Sequence, residues 1–255
     1  MADITGYNQG QVSDEGLVNW RGDQATVTPG GQSIYDSSSV ALAQLGSRKV
    51  VGDRVFRYAK ANGPIGAGDL AQGATPSLIN VTAGSANASG DKVFSFYFAT
   101  SNGAGTYDEG YLIAQSGTAA NLGYMYRVKT QPIVATTSKA NLTLYDPLKL
   151  VANVTDKYSL FANPYGRLTE NTAGTAAAMG VAPIAVTTGD YFWLQTFGPC
   201  NVKAGLALVV GNGFVAGATG EVTAAVATTG GTLGFVVQPV LTVSEYGMVW
   251  LEIAP

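Results

Sequence analysis

The sequence predicts an all-β protein, sandwich or jelly-roll-like, with many short antiparallel strands, an extended N-terminal arm and only short helices. Three observations carry this. Short apolar or alternating runs recur along the chain, turn residues separate them at intervals of roughly 8–12 residues, and no stretch sustains the 3.6-residue period of a long helix. The 33 glycines supply most of the punctuation.

The most informative stretch is Thr187 to Gly205. After the turn pair Gly189-Asp190, residues Tyr191, Trp193, Gln195 and Phe197 alternate with Phe192, Leu194 and Thr196 at the period a strand imposes. Bulky groups on both sides place that strand in the middle of a packed sheet. Gly198-Pro199 is expected to end it, and Cys200–Lys203 to pair back as a short strand of a central meander.

Residues 1–35 are polar, with isolated apolar points that include Leu17, Val18 and Trp20. Such a segment buries little by itself, so it reads as an arm lying on another surface, a neighbouring subunit or a larger partner; packing of Trp20 on its own domain is the alternative. Residues 36–255 form the β-rich domain, with a sub-boundary considered near 60–90. Asp36-Ser-Ser-Ser39 followed by Val40–Leu45 predicts a capped helical turn. Arg48–Val51, Gly52-Asp53 and Arg54–Ala59 predict a hairpin with a II′ turn. Strands follow at 77–82, 92–100, 110–115, 123–129 and 142–145, then a short helix opened by Asp146-Pro147. Residues 158–180 read as loop. The remaining predicted strands are 181–186, 191–197, 201–203, 206–210, 220–227, 234–240 and 247–253, and no internal repeat of fixed period is evident.

Charged residues make up 12% of the chain, and a surface so poor in charge points to oligomerisation. The net charge of −3 argues against general nucleic-acid binding. No apolar run reaches the roughly 20 residues of a membrane-spanning helix, and the start of the sequence lacks the pattern of a secretory signal, so synthesis in a cytoplasm is expected. Basic residues cluster once, at Arg48, Lys49, Arg54, Arg57 and Lys60. A solvated hairpin edge that resists edge-to-edge pairing and a surface for an acidic partner both fit this cluster.

With no histidine and a single cysteine, catalytic triads built on histidine, disulfide frameworks and His- or CxxC-based zinc sites are excluded. The adjacent acids Asp14-Glu15 and Asp108-Glu109 point apart in extended chain and make no facing dyad. Gly66-Ala-Gly68-Asp-Leu-Ala71 is superficially like a dinucleotide loop, but no βαβ unit follows it. Neither catalytic residues nor a cofactor are expected.

Four segments carry a family resemblance: Gly189-Asp-Tyr-Phe-Trp-Leu-Gln-Thr-Phe-Gly198 with the short strand after it, Leu45–Lys60, Leu142–Leu148 and Val249-Trp-Leu-Glu252. Together they resemble the head decoration, or cement, proteins of tailed bacteriophages over roughly residues 40–255. The resemblance implies a structural virion protein on the capsid exterior. Its implied partners are the major capsid protein and further copies of itself in a trimer. The expected anchors come from the residues themselves: the apolar points Leu17, Val18 and Trp20 of the arm, and Arg48, Lys49, Arg54 and Arg57 of the basic cluster. A glycan-binding module of a tail or fibre is the alternative, because aromatic residues on a β-sandwich can stack on sugars.

Overall fold

The computed structural model describes residues 31–73, 77–117, 123–135, 138–172, 176–225 and 231–255, with the backbone of two short N-terminal strands. Those are β1 (Val12–Ser13) and β2 (Gly16–Leu17), which pair with each other. The chain divides into two compact units: residues 1–74 with 165–255, and residues 75–164 between them.

In the first unit, β3 (Arg48–Val51), β4 (Arg54–Lys60), β5 (Leu70–Gly73), β12 (Leu168–Glu170), β13 (Ala178–Val181), β14 (Tyr191–Lys203), β17 (Gly234–Val236) and β18 (Tyr246–Glu252) form one sheet. Its order is β12-β5-β13-β14-β18-β17, with β4 also on β14 and β3 on β4. A separate hairpin joins β15 (Phe214–Ala216) to β16 (Val222–Ala224). The second unit holds a sheet of order β6-β11-β8-β9-β10-β7: β6 (Ser77–Thr82), β7 (Val93–Phe98), β8 (Tyr111–Ser116), β9 (Met125–Thr130), β10 (Ser138–Leu144) and β11 (Lys157–Phe161). Every strand pairing is antiparallel. The all-β class predicted from the sequence is what the structure has.

The second unit's core is built on the aromatic ladder Phe94, Phe96 and Phe98, with Tyr107 and Tyr158 packed against it. These side chains come from successive even positions of β7, so one face of the strand supplies the core while Val93 and Tyr97 face outward. In the first unit, Phe192 and Leu194 of β14 join Ala59, Ala61, Ile65 and Leu168 in one cluster. Farther along the same strand, Cys200 and Val202 join Phe214, Val249 and Leu251 in another.

β14 is one strand of 13 residues, not two short strands with a break at Gly198-Pro199. It pairs with β4 along Tyr191–Phe197 and with β18 along Phe197–Lys203. A bulge between Gln195 and Phe197 lets it pass from one partner to the other. Gly198 absorbs the bend with φ of +88°, and a Cβ there would strike the carbonyl of Asp53. At Pro199 the paired neighbour is β18, so the missing N–H is accommodated as at a sheet edge.

Neither predicted helix forms, and the described residues contain none. Around residues 36–45 the backbone donors have other acceptors: Tyr191 N and Ser38 N exchange bonds with each other's carbonyls, and Leu42 N donates to the Tyr58 hydroxyl. After Pro147, Leu148 N donates to Asp91 O, Lys149 N to Tyr126 Oη, and Ala152 N to Asn87 O. Tertiary acceptors replace the helical ladder in both places. Within 158–180, read as loop, lie most of β11, all of β12 and the start of β13; conversely 206–210 is a turn, joined at Leu208 to Val240 by an isolated bridge.

A local device recurs although no fixed period runs through the chain. A buried alanine is followed four residues on by a bridging residue and three later by a glycine with φ between +74° and +94°: Ala61/Ile65/Gly68, Ala83/Asn87/Gly90, Ala182/Val186/Gly189 and Ala204/Leu208/Gly211. Each closes with a bond from the N–H after the glycine to the carbonyl three residues back, at 3.2–3.3 Å. Positive φ at the third turn position is the type II requirement that glycine meets without steric cost. Two copies, at Ile65 and Val186, bridge to each other.

Candidate attachment surface

The predicted hairpin forms with Gly52 at φ +62° and Asp53 at negative φ, as a II′ turn demands. Cross-strand pairing sorts its side chains. Lys49, Val51, Arg54, Phe56, Tyr58 and Lys60 share one face, whereas Arg48 stands opposite Arg57 on the other, beside the Val50–Val55 pair. On the first face the cations lie over aromatic rings: Lys49 over Trp193 and Lys60 over Tyr191, each at 5.0 Å, and Arg54 over Phe56 at 5.6 Å.

This face is roofed by residues 32–43, and Gln32 fastens the roof. Its backbone carbonyl accepts from Trp193 Nε1 at 3.0 Å and from Lys49 Nζ at 2.8 Å. Its side-chain Nε2 donates to the carbonyls of Asp36 and Tyr191, while its Oε1 accepts the Tyr58 hydroxyl at 2.8 Å. Burial lowers the Lys49 pKa. Ile34 packs beside Phe56, Tyr58 and Trp193, all of them buried. Gln195, also buried, donates to the carbonyls of Phe197 and Pro199, so the central stretch is an interior strand with its polar groups satisfied.

Of the predicted anchors, the side chains of Leu17, Val18 and Trp20 lie outside the described residues. Lys49 and Arg54 are engaged with Gln32, Trp193, Tyr35 and Phe56. Arg57 donates to the carbonyls of Gly46 and Pro255, each at 3.3 Å. Arg48 is exposed.

Sequence reasoning missed the most open aromatic surface, on β14, β18 and β17. Residues Phe197, Pro199, Asn201 and Lys203 alternate outward from β14, as do Tyr246, Met248, Trp250 and Glu252 from β18. Phe235, Trp250 and Pro199 are directly opposite partners across the three strands. The Phe235 and Trp250 rings are 6.3 Å apart and nearly parallel at 9°, and Phe197 meets Trp250 edge-on at 5.9 Å. Phe235, Tyr246 and Met248 are 41%, 50% and 39% exposed. The alternation Tyr246-x-Met-x-Trp-x-Glu252 was the available signal: three apolar positions and a charge on one face cannot all be core. A second open apolar patch gathers Leu206, Val209, Val210, Leu241 and Val243 around the Leu208–Val240 bridge.

The carboxylates are held structurally. Asp69 lies 3.8 Å from Lys203; burial raises its pKa and Lys203 draws it partly back. Glu170 nearby is also raised, by burial and then by Asp69. Burial opposes the charge of Glu221, but hydrogen bonds from Thr219 and Ala218 prevail and hold its pKa low. Asp108 accepts from the Gln131 N–H, whereas Glu109 pairs with Arg127 at 2.7 Å and accepts from Tyr145. The two therefore serve different partners. Burial pushes the Cys200 thiol up to about 12, which suits an inert core residue.

No protein-family model and no curated protein matches the chain. Among solved structures, the head fiber gp8.5 N base of bacteriophage phi29 is similar at 11% identity and a TM-score of 0.35, over 79% of this chain and 98% of that one. A likeness at that level carries no argument about the fold or function of this chain.

Proposed function

We propose that this chain is a non-enzymatic structural protein of a phage particle that binds the outer surface of the capsid and reinforces it. The observation that carries the reading is where the family-like segments fall. Leu45–Lys60 supplies β3 and β4, Gly189–Lys203 supplies β14, and Val249–Glu252 lies in β18; these are consecutive neighbours in one sheet. Three of the four segments thus fall on one packed sheet, while the fourth, Leu142–Leu148, begins in β10 of the other unit. That sheet ends in the open face of Phe197, Trp250, Phe235 and Met248, an apolar surface of the kind that mediates protein contacts. The major capsid protein is the proposed partner.

The test is the protein content of purified native particles. Stoichiometric amounts relative to the capsid subunit, lost on mild chemical stripping with a fall in particle stability, are expected. Absence from particles, or a few copies in each, overturns the reading. The parallel rings of Phe235 and Trp250 favour a second reading, a glycan-binding module of a tail or fibre. Specific binding of the isolated protein on a glycan array, lost in Trp250→Ala, distinguishes it.

A further inference from the structure

The four alanine-to-glycine turns share a position that one of them fills differently. The residue after the glycine is Asp69, Asp91 and Asp190 in three copies and Asn212 in the fourth. In the three, the carboxylate closes the turn a second time by accepting from the turn's first residue: Asp69 from the Gly66 backbone, Asp91 from Ala88 N at 2.8 Å, and Asp190 from Thr187 Oγ1 at 2.8 Å. The turn Asn153–Asp156 is closed in the same way, its carboxylate accepting from Asn153 N at 3.0 Å. A charged acceptor makes such a bond stronger than a neutral amide does. The Asn212 side chain is exposed, and no bond of this kind closes its turn among the described residues.

Asn212 is also followed by Gly213. Without a Cβ on the following residue, a backbone nitrogen reaches an asparagine side-chain carbonyl with little steric hindrance. Asn212 N donates to Val209 O and its carbonyl accepts from Val236 N, whereas the Gly213 N–H has no backbone acceptor among the described residues. Two further Asn-Gly pairs lack this setting. Asn102 is held by its Nδ2 on Thr100 O and by paired backbone bonds to Val134, and Asn62, directly after Ala61, does not occupy the closing position of a turn.

We infer that Asn212 is a site of spontaneous deamidation, at which the chain installs the carboxylate that its three sister turns encode. The Gly213 nitrogen bonds to Asn212 Cγ, the Cγ–Nδ2 bond breaks, and Nδ2 leaves as ammonia with the proton from Gly213. Water then opens the five-membered imide at one carbonyl to give aspartate or at the other to give isoaspartate. In the aspartate product the carboxylate stands where that of Asp91 accepts the Ala88 N–H, with the Val209 N–H as its donor. Each conversion adds a negative charge beside the exposed Val209 and Val210, at the rim of the second open apolar patch. The site does not rest on the capsid reading, because it is read on the free protein.

The test is a time course on the folded full-length protein at about pH 8 and about 37 °C, followed by cleavage after Lys and Glu; residues 204–221 then carry Asn212 as their only asparagine. The expected result is a gain of about 1 Da in that peptide, and of about 3 Da in water labelled with heavy oxygen, while Asn62 and Asn102 keep their amides. Asn212→Gln, whose attack requires a larger ring, should abolish the gain. Asn212→Asp should melt about 2 °C above the unaltered protein. An unchanged mass for residues 204–221 overturns the inference. Equal conversion at Asn62 and Asn102 also overturns it, since the Asn-Gly sequence and not the turn would then be responsible, and an Asn212→Asp variant that melts no higher removes the role given to the carboxylate. If a variant fails to fold, the time course on the unaltered protein decides alone.

Discussion

The indole N–H of Trp193 donates to the backbone carbonyl of Gln32, 161 positions away in sequence, and that carbonyl also accepts from Lys49. One buried oxygen thus ties the roof segment, the hairpin and the central strand together. Trp193→Ala should destabilise the fold by about 3–5 kcal/mol, the range for truncating a buried large aromatic. Trp193→Phe should cost less, because it keeps the ring against Tyr58 and gives up the hydrogen bond. Urea denaturation of the two variants side by side checks the order, and an unchanged midpoint for the alanine variant would contradict the buried placement.

Gly198 provides a backbone test. Its φ of +88° disfavours a side chain, and a Cβ would strike the Asp53 carbonyl where β14 passes from β4 to β18. Gly198→Ala should therefore cost about 1–3 kcal/mol, more than an ordinary strand substitution. Gly189→Ala shares the unfavourable φ but meets open space, so it should cost less. Thermal melts of both variants measure the difference.

Asp69 makes stability depend on pH in a defined direction. Its raised pKa means that the folded chain holds this proton more tightly than the unfolded chain does. The associated stability is fully present below the ordinary carboxylate value and is lost as pH rises through the raised one. Asp69→Asn should flatten that decline, and Lys203→Met, which removes the attraction holding Asp69 down, should move it to higher pH. Denaturation midpoints between about pH 4 and pH 7 test both variants.

Cys200 should be unreactive in the native protein. Burial pushes its thiol up to about 12, so thiolate is scarce at neutral pH and reagent access is poor. A disulfide reagent at pH 8 should label it only after denaturant is added. Rapid native labelling would mean that the β14–β18 cluster opens readily.

The hairpin at Gly52-Asp53 was legible because its turn chemistry is local and the residues beside it alternate. The continuity of β14 was not. Gly198-Pro199 is a terminating signal by composition, and only the supply of a second partner, β18, turns it into a bend. Leu206–Val210 read as a strand from its apolar run, yet all of its side chains but Leu208 are exposed around a turn. Composition does not say which apolar residues find a core. The anchors show a similar limit: Lys49 was legible as part of a basic cluster, but its burial against Trp193 depends on a roof segment that sequence periodicity does not register. The recurring alanine-to-glycine turn escaped because its copies share spacing within the motif but not between motifs: Ala61 and Ala83 are 22 apart, as are Ala182 and Ala204, while 99 residues separate the two pairs.

The division of the chain has a consequence during synthesis. Residues 75–164 form their unit from one uninterrupted stretch, so its strands can pair as soon as that stretch leaves the ribosome. The other unit cannot close so early. Its hairpin β3–β4 emerges first but must await β14, more than 130 residues later, and β14 in turn lacks β18 until the last residues are made. During that interval Phe56 and Tyr58 have no strand to cover them. Cations flanking an uncovered strand disfavour its pairing with another chain, and Arg48, Lys49, Arg54, Arg57 and Lys60 flank this one.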